Sequence, residues 1–168
     1  MLREDSGPEV SAEIRDAWSF RPAAHADLEE VVRFLAASGL PPDQLEKQFG
    51  PAYVLAFRDG RLEGIAGLEV YGRHGFLRSV AVTTNARGSG LGQALVNDRI
   101  LRARRLGLES VHLLTMHAAP WFERLGFEAI DRSAAPSPIL ESSQFTTSCP
   151  SSAVLMKCTV LTSLPEDL

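Results

Sequence analysis

The sequence has no long apolar run and few cysteines, and these absences exclude several classes of protein. Nowhere do about 18 apolar residues follow one another, the length that crosses a membrane. The first stretch is acidic and polar, unlike a secretory signal. The cysteines, Cys149 and Cys158, are too few for a disulfide framework or a four-ligand zinc site. We therefore expect a cytoplasmic protein with no membrane partner and no metal.

Basic side chains are also fewer than acidic ones. The chain carries 17 Lys and Arg residues against 21 Asp and Glu, a net charge of -4, which disfavours nucleic acid as a partner. With 168 residues, of which 45% are hydrophobic, one core is expected. The apolar pattern predicts a polar, partly disordered leader over residues 1–16 and a single domain over residues 17–168. The sequence leaves both a monomer and a homodimer open.

Hydrophobic periodicity predicts a mixed α/β fold of the α+β type. Apolar spacing and stop signals predict helices over residues 26–38, 42–49, 90–105 and 120–125. Extended runs predict strands over residues 53–57, 62–71, 76–82, 111–114 and 153–160. Asp59-Gly60 supplies a tight hairpin turn between the first two strands, and the Ser-, Thr- and Pro-rich stretch 133–150 predicts a long loop.

The most informative segment joins a strand to a helix through a glycine-rich loop. Residues 77–82 read Leu-Arg-Ser-Val-Ala-Val, and residues 87–92 read Arg-Gly-Ser-Gly-Leu-Gly. Glycines let the backbone approach a phosphate, and the start of a helix offers free amides and partial positive charge. The segment lacks the features of Walker A and Rossmann loops. It predicts a diphosphate site; the alternative is a turn whose glycines only ease helix packing.

This loop resembles that of the GNAT superfamily of acetyl-CoA-dependent N-acetyltransferases, whose pattern Arg/Gln-x-x-Gly-x-Gly/Ala is matched by Arg87, Gly90 and Gly92. Residues 20–28 and 121–127 look like further landmarks in the family's order. The resemblance implies a mixed, mostly antiparallel central sheet with helices on both faces. It also implies that two parallel strands, residues 78–82 and 111–114, splay apart to admit the cofactor.

The resemblance further implies how acetyl-CoA, the cosubstrate, lies in the cleft. Its pantetheine would pair with the strand at 80–82, and its pyrophosphate would take the amides of the loop. Many family members have a tyrosine at the position of Phe122 that protonates the departing thiolate, so Phe122 is expected to pack against pantetheine instead. The predicted cofactor-binding residues are Val80, Ala81, Val82, Arg87, Gly88, Ser89, Gly90, Leu91, Gly92 and Phe122.

Glu69 and Tyr71 are the candidate catalytic residues. Glu69 follows the apolar run 65–68, where a carboxylate needs either a partner of opposite charge or a functional role. We take it as the general base. Tyr71 shares its face by the period of a strand and is expected to orient substrate or donate a proton. The alternatives are a solvent-facing carboxylate paired with Arg73 or Arg78, and an edge aromatic.

The acceptor side is expected to hold an anion-binding group. Arg78 has the same parity in its strand as Val80 and Val82, amid apolar residues, where an arginine needs an anion. A substrate carboxylate or Glu69 would satisfy it. A histidine that follows a strand is often a bystander, which is the alternative for His117. The predicted substrate-binding residues are Arg78, Thr115, His117, Ser148 and Cys149, the last two from a loop that often caps the acceptor site in the family.

Four segments, residues 77–82, 113–115, 122–127 and 149–153, also resemble bacterial arsenic-resistance N-acetyltransferases. This implies that the small-molecule substrate is the primary amine of an amino-acid-like arsenical or phosphinic antimetabolite. Direct arsenite capture is disfavoured, because soft-metal sites gather more sulfurs than two. The competing functions are a noncatalytic acyl-CoA-binding module, motivated by the missing tyrosine, and a peptide or protein N-acetyltransferase.

Overall fold

The strand order of one twisted sheet determines where the fold can open. The computed structural model describes residues 12–142, 145 and 151–160, and over these residues seven strands form one sheet in the order β1-β2-β3-β4-β5-β7-β6. Every neighbouring pair is antiparallel except the central pair β4 and β5. The strands are β1 (Ser19–Pro22), β2 (Tyr53–Arg58), β3 (Arg61–Tyr71), β4 (His74–Val82), β5 (Ser110–Thr115), β6 (Glu128–Ala129) and β7 (Val154–Thr159).

Helices cover both faces of the sheet, as predicted. They are α1 (Ala12–Ala17), α2 (Leu28–Ala37), α3 (Leu91–Arg105), α4 (Ala119–Arg124) and α5 (Ser137–Leu140). Because side chains alternate along a strand, Val54 of β2 packs with α3 while Leu55 packs with α2 on the opposite face. None of the described helices is both long and apolar enough to cross a membrane.

The hairpin between β2 and β3 forms as the Asp-Gly pair predicts. Asp59 and Gly60 have φ of 52° and 74°, and positive φ at both central residues is what a type I′ turn requires. The predicted helix over residues 42–49 is wrong: only Leu45–Lys47 form a short 3-10 helix, preceded by Gln44 in the left-handed conformation. Eight residues are too few for a helix to form by propensity alone.

Four of these helices and strands were not predicted. Helix α1 falls inside the predicted leader and buries Ile14 against the α3 side of the sheet, so the ordered chain begins before residue 17; residues 1–11 of that leader lie outside the described residues. Strands β1 and β6 lie at the sheet edges and are too short for an alternating pattern. Within the predicted loop over 133–150, α5 buries Ile139.

Candidate active site

A cleft opens where the two parallel strands diverge. Strands β4 and β5 pair at His74–Ser110, Gly75–Val111 and Phe76–His112, and over the described chain their pairing ends there. Beyond this point the edge of β4 faces a cleft of about 370 Å³. The predicted splay is therefore present. The cleft is lined by Ser38, Leu40, Val80, Ala81, Val82, Arg87, Gly92, Ala118, Trp121 and Phe122.

A β-bulge at Ser79 decides which β4 side chains face which side. Ser79 has a φ of 58°, and the register with β3 shifts by one residue between the pairs Gly67–Arg78 and Ile65–Ala81. One extra residue reverses the alternation. Val80 and Val82 therefore pack on the α3 side, whereas Arg78 lies with Glu69 on the opposite face. The prediction that Arg78 shares the face of Val80 and Val82 is wrong, because a parity count assumes an unbroken strand.

The glycine loop forms an amide-rich turn at one end of the cleft. Gly88 and Gly90 have φ of 78° and 91°, a conformation that strains any side chain with a Cβ. Among the hydrogen bonds of the described chain, the amides of Gly88, Gly90, Gly92 and Gln93 donate to no protein acceptor. These amides and the exposed Arg87 border a hollow of about 280 Å³.

Two predicted members of the loop serve the protein itself. The Ser89 hydroxyl donates to the Ala86 carbonyl and accepts a hydrogen bond from the Leu91 amide at 3.2 Å. The Leu91 side chain is buried in the core beneath α3. The side chains of Ser89 and Leu91 therefore stabilise the conformation of the loop.

Four polar side chains meet on the α2 side of the sheet. Glu69 is 1% exposed, and its two oxygens accept hydrogen bonds from two tyrosine hydroxyls, Oε1 from Tyr71 and Oε2 from Tyr53, both at 2.7 Å. Arg78 Nη1 lies 3.3 Å from Glu69 Oε2. The shared face of Glu69 and Tyr71 is confirmed, and the solvent-facing alternative for Glu69 is wrong. Its pairing with Arg78 is present.

Tyr53 is the member of this cluster that sequence reasoning missed. It pairs with Gly67 across β2 and β3, and a Cβ at Gly67 would collide with the Tyr53 ring. The missing side chain lets the ring lie along the strand, so that its hydroxyl reaches Glu69. Burial chiefly raises the pKa of the Tyr53 phenol, and the carboxylate beside it adds to the rise while Arg78 opposes it. Tyr53 is therefore a neutral hydrogen-bond donor.

The comparison with protein families agrees with this geometry. The model of the acetyltransferase (GNAT) family matches residues 12–127. The chain belongs to the GNAT family. It is 30% identical over 113 residues to the amino-acid acetyltransferase of Photorhabdus laumondii, a match covering 64% of this chain and 25% of that protein. It is 33% identical over 147 residues to the mycothiol acetyltransferase of Pseudarthrobacter chlorophenolicus, covering 80% of this chain and 45% of the relative.

This GNAT chain spans less than half of the length of either relative. Among solved structures, it resembles N-acetylglutamate synthase from Neisseria gonorrhoeae, crystallised with coenzyme A and N-acetyl-glutamate, with a TM-score of 0.72 and 21% identity. That match covers 86% of this chain and 35% of the other, and it supports the same fold. The relatives are named for other acceptors, so the arsenic-resistance subgroup stays a prediction.

The remaining predicted residues of this GNAT site are distributed unevenly. Phe122 lines the cleft and meets Trp121 edge to face, with ring centroids 4.8 Å apart. Thr115 ends β5, and its hydroxyl accepts a hydrogen bond from the Ala118 amide at 3.0 Å. His117 is exposed in the following turn. Ser148 and Cys149 lie outside the described residues.

Another buried polar group on the same sheet escaped sequence reasoning. His112 on β5 is fully buried, and its Nε2 has no hydrogen-bond partner within the described residues. The pKa of His112 is lowered to about 4, chiefly by burial and to a smaller extent by the nearby His74 and Lys157. His112 is therefore neutral at physiological pH, and it takes no part in the Glu69 cluster.

Proposed function

We propose that this GNAT chain is an acetyl-CoA-dependent N-acetyltransferase. The observation that carries the proposal is the open edge of β4 leading directly into the amide-rich glycine loop. Pantetheine amides pair with the backbone of Val80, Ala81 and Val82, and the pyrophosphate takes the free amides of Gly88, Gly90 and Gly92 together with Arg87. The ring of Phe122 packs against the pantetheine from the opposite wall.

The Glu69 cluster supplies a path for the proton of the acceptor amine. Because Glu69 is enclosed, half-buried Tyr71 is the group that meets the ammonium. The N–H bond breaks as its proton goes to the Tyr71 oxygen, and Tyr71 passes its own proton to Glu69 Oε1. The free amine then bonds to the acetyl carbon, the C–S bond breaks, and CoA leaves as a thiolate. The new amide nitrogen gives its second proton to water, which returns it to the thiolate.

The departing thiolate needs no tyrosine at residue 122. A thiol has a pKa near 8.5, so a thiolate is a stable leaving group close to neutrality and takes its proton from water. Phe122 contributes an apolar wall to the cleft. This assignment removes the main argument for a noncatalytic acyl-CoA-binding module.

The acceptor we propose is the primary amine of a small amino-acid-like molecule. Relatives named amino-acid and mycothiol acetyltransferases support this class. Within it, the resemblance of four sequence segments to arsenic-resistance N-acetyltransferases favours arsenical and phosphinic amino acids. Thr115 and His117, at the open end of β5, together with Ser148 and Cys149, are the residues that we assign to the acceptor side.

A release assay for free CoA tests the proposal. The purified chain with acetyl-CoA is presented with common amino acids, an arsenical and a phosphinic amino acid, a short peptide and an amine-free blank. We expect amine-dependent release, strongest for the arsenical or phosphinic compound, with the acetylated amine as product by mass spectrometry. Tight CoA binding without turnover on any amine would support the binding module, and turnover on the peptide alone would support the protein-acetylating alternative.

A further inference from the structure

The Arg78 guanidinium joins parts of the chain that are far apart in sequence. Arg78 is 6% exposed, and its Nη1 holds Glu69 Oε2 at 3.3 Å. Its Nε donates to Ser79 Oγ at 3.3 Å. Its Nη2 donates to the carbonyls of Pro41 and Asp43 at 3.4 and 3.0 Å. The group is thus engaged inside the protein on β3, on its own strand and on the segment that follows α2.

Two of these contacts lie next to residues with a strained backbone conformation. Ser79 and Gln44, the residue after Asp43, both have left-handed backbones, with φ of 58° and 63°. A residue with a Cβ keeps this conformation when its surroundings impose it. Arg78 binds at both places, so one side chain holds two strained turns.

Each strained turn shapes one wall of the cleft. The bulge at Ser79 turns Val80 and Val82 into their positions on the cofactor strand. On the other side, Ser38 and Leu40 line the cleft immediately before Pro41. One guanidinium therefore contacts the chain next to both walls of the cleft.

We propose that Arg78 is a positioning residue that sets the cleft for coenzyme A by tying both walls to Glu69. This inference rests on the proposed function, in that the cleft is taken to bind acetyl-CoA. It differs from a carboxylate anchor, which would act on the acceptor alone. A positioning role changes cofactor affinity, and it does so whether or not the acceptor carries a carboxylate.

Arg99 provides a matched control. It is also 6% exposed, it pairs with the Asp98 carboxylate at 2.6 Å, and it donates to the carbonyls of Pro51 and Ala52. It lies on α3 and is not among the residues that line the cleft. Arg78→Met and Arg99→Met therefore remove the same kind of buried contact, one beside the cleft and one away from it.

Calorimetry with coenzyme A, without any acceptor, tests the inference. We expect Arg78→Met to raise the Kd for coenzyme A by about fivefold or more and Arg99→Met to change it by less than about twofold. Equal losses in both variants would reduce Arg78 to a structural role and overturn the proposal. Wild-type affinity in Arg78→Met, with a raised KM for an amino acid but not for its α-amide, would establish the carboxylate anchor instead.

Arg78→Lys keeps the proposal testable if Arg78→Met does not fold. Lysine retains the charge beside Glu69 but cannot reach Ser79 and the two carbonyls together. We expect an intermediate Kd for coenzyme A; full recovery of affinity would show that charge alone suffices and would contradict the positioning role. A wild-type chain that binds coenzyme A but turns over no amine would refute the proposed function while leaving this comparison intact.

Discussion

The proposed cofactor side of the cleft is built from backbone and apolar side chains, whereas the proposed acceptor side rests on a cluster of four polar side chains, three buried and one half-buried. On the cofactor side, glycines and a bulged strand present amides. On the acceptor side, Tyr53, Tyr71 and Arg78 converge on Glu69. A backbone site depends on conformation, so it fails when a side chain is added. A polar cluster depends on protonation and partners, so it fails when one atom is changed.

Replacement of Glu69 by Gln should have the largest effect on turnover. Glutamine keeps the shape of the side chain but cannot take the proton that Tyr71 passes on, so kcat should fall by about 10²-fold or more. Affinity for coenzyme A, measured by calorimetry, should stay near that of the wild type, because the glycine loop is untouched and the glutamine oxygen still accepts a hydrogen bond from Arg78. Unchanged kcat would make the Glu69–Arg78 pair a structural salt bridge.

Substitutions of the two tyrosines that donate to Glu69 should distinguish a proton path from a structural contact. Each donates one hydrogen bond of 2.7 Å, but Tyr53 is fully buried and Tyr71 is half-buried. We expect Tyr71→Phe to lower kcat by about 10-fold and Tyr53→Phe by less than about threefold, with both variants losing thermal stability. Equal effects on kcat would contradict the relay.

Substitution of Gly90 by Val probes the backbone side. Valine resists a φ of 91°, so the loop shifts, and the Kd for coenzyme A should rise at least ~10-fold, or ~1.4 kcal/mol. Gly107→Val is the control, because Gly107 has a φ of 70° at the other end of α3 with open space around it. If both variants weaken cofactor binding equally, general destabilisation is the cause.

The smallest effect is expected at Phe122. Phe122→Leu keeps an apolar wall, so the Kd for coenzyme A should change by about threefold and the shape of the pH–rate profile should stay the same. Phe127→Leu removes an aromatic contact from the same core cluster without altering the cleft lining. A profile that changes shape in Phe122→Leu alone would mean that the variant had reorganised the proton path.

The difference between the two sides also explains which features could be predicted from the sequence. Loop glycines and the Asp59-Gly60 turn follow from local conformational rules, and the splayed pair followed from the family resemblance; all were predicted. The face of Arg78 was not, because a bulge is a tertiary feature that no parity count contains. Tyr53 escaped because its role depends on a partner strand: only the register Tyr53–Gly67 brings its hydroxyl to Glu69.

The absence of a side chain at Gly67 determines which groups contact the Glu69 carboxylate. A methyl group added there would displace the Tyr53 ring, and with it one of the two phenols that hold Glu69. A side chain at residue 67 could therefore arise during evolution only together with a smaller residue at 53, since a large ring needs a neighbour without a side chain. A chain that lost this pairing would leave its carboxylate with one hydroxyl fewer and with Tyr71 and Arg78 to hold it.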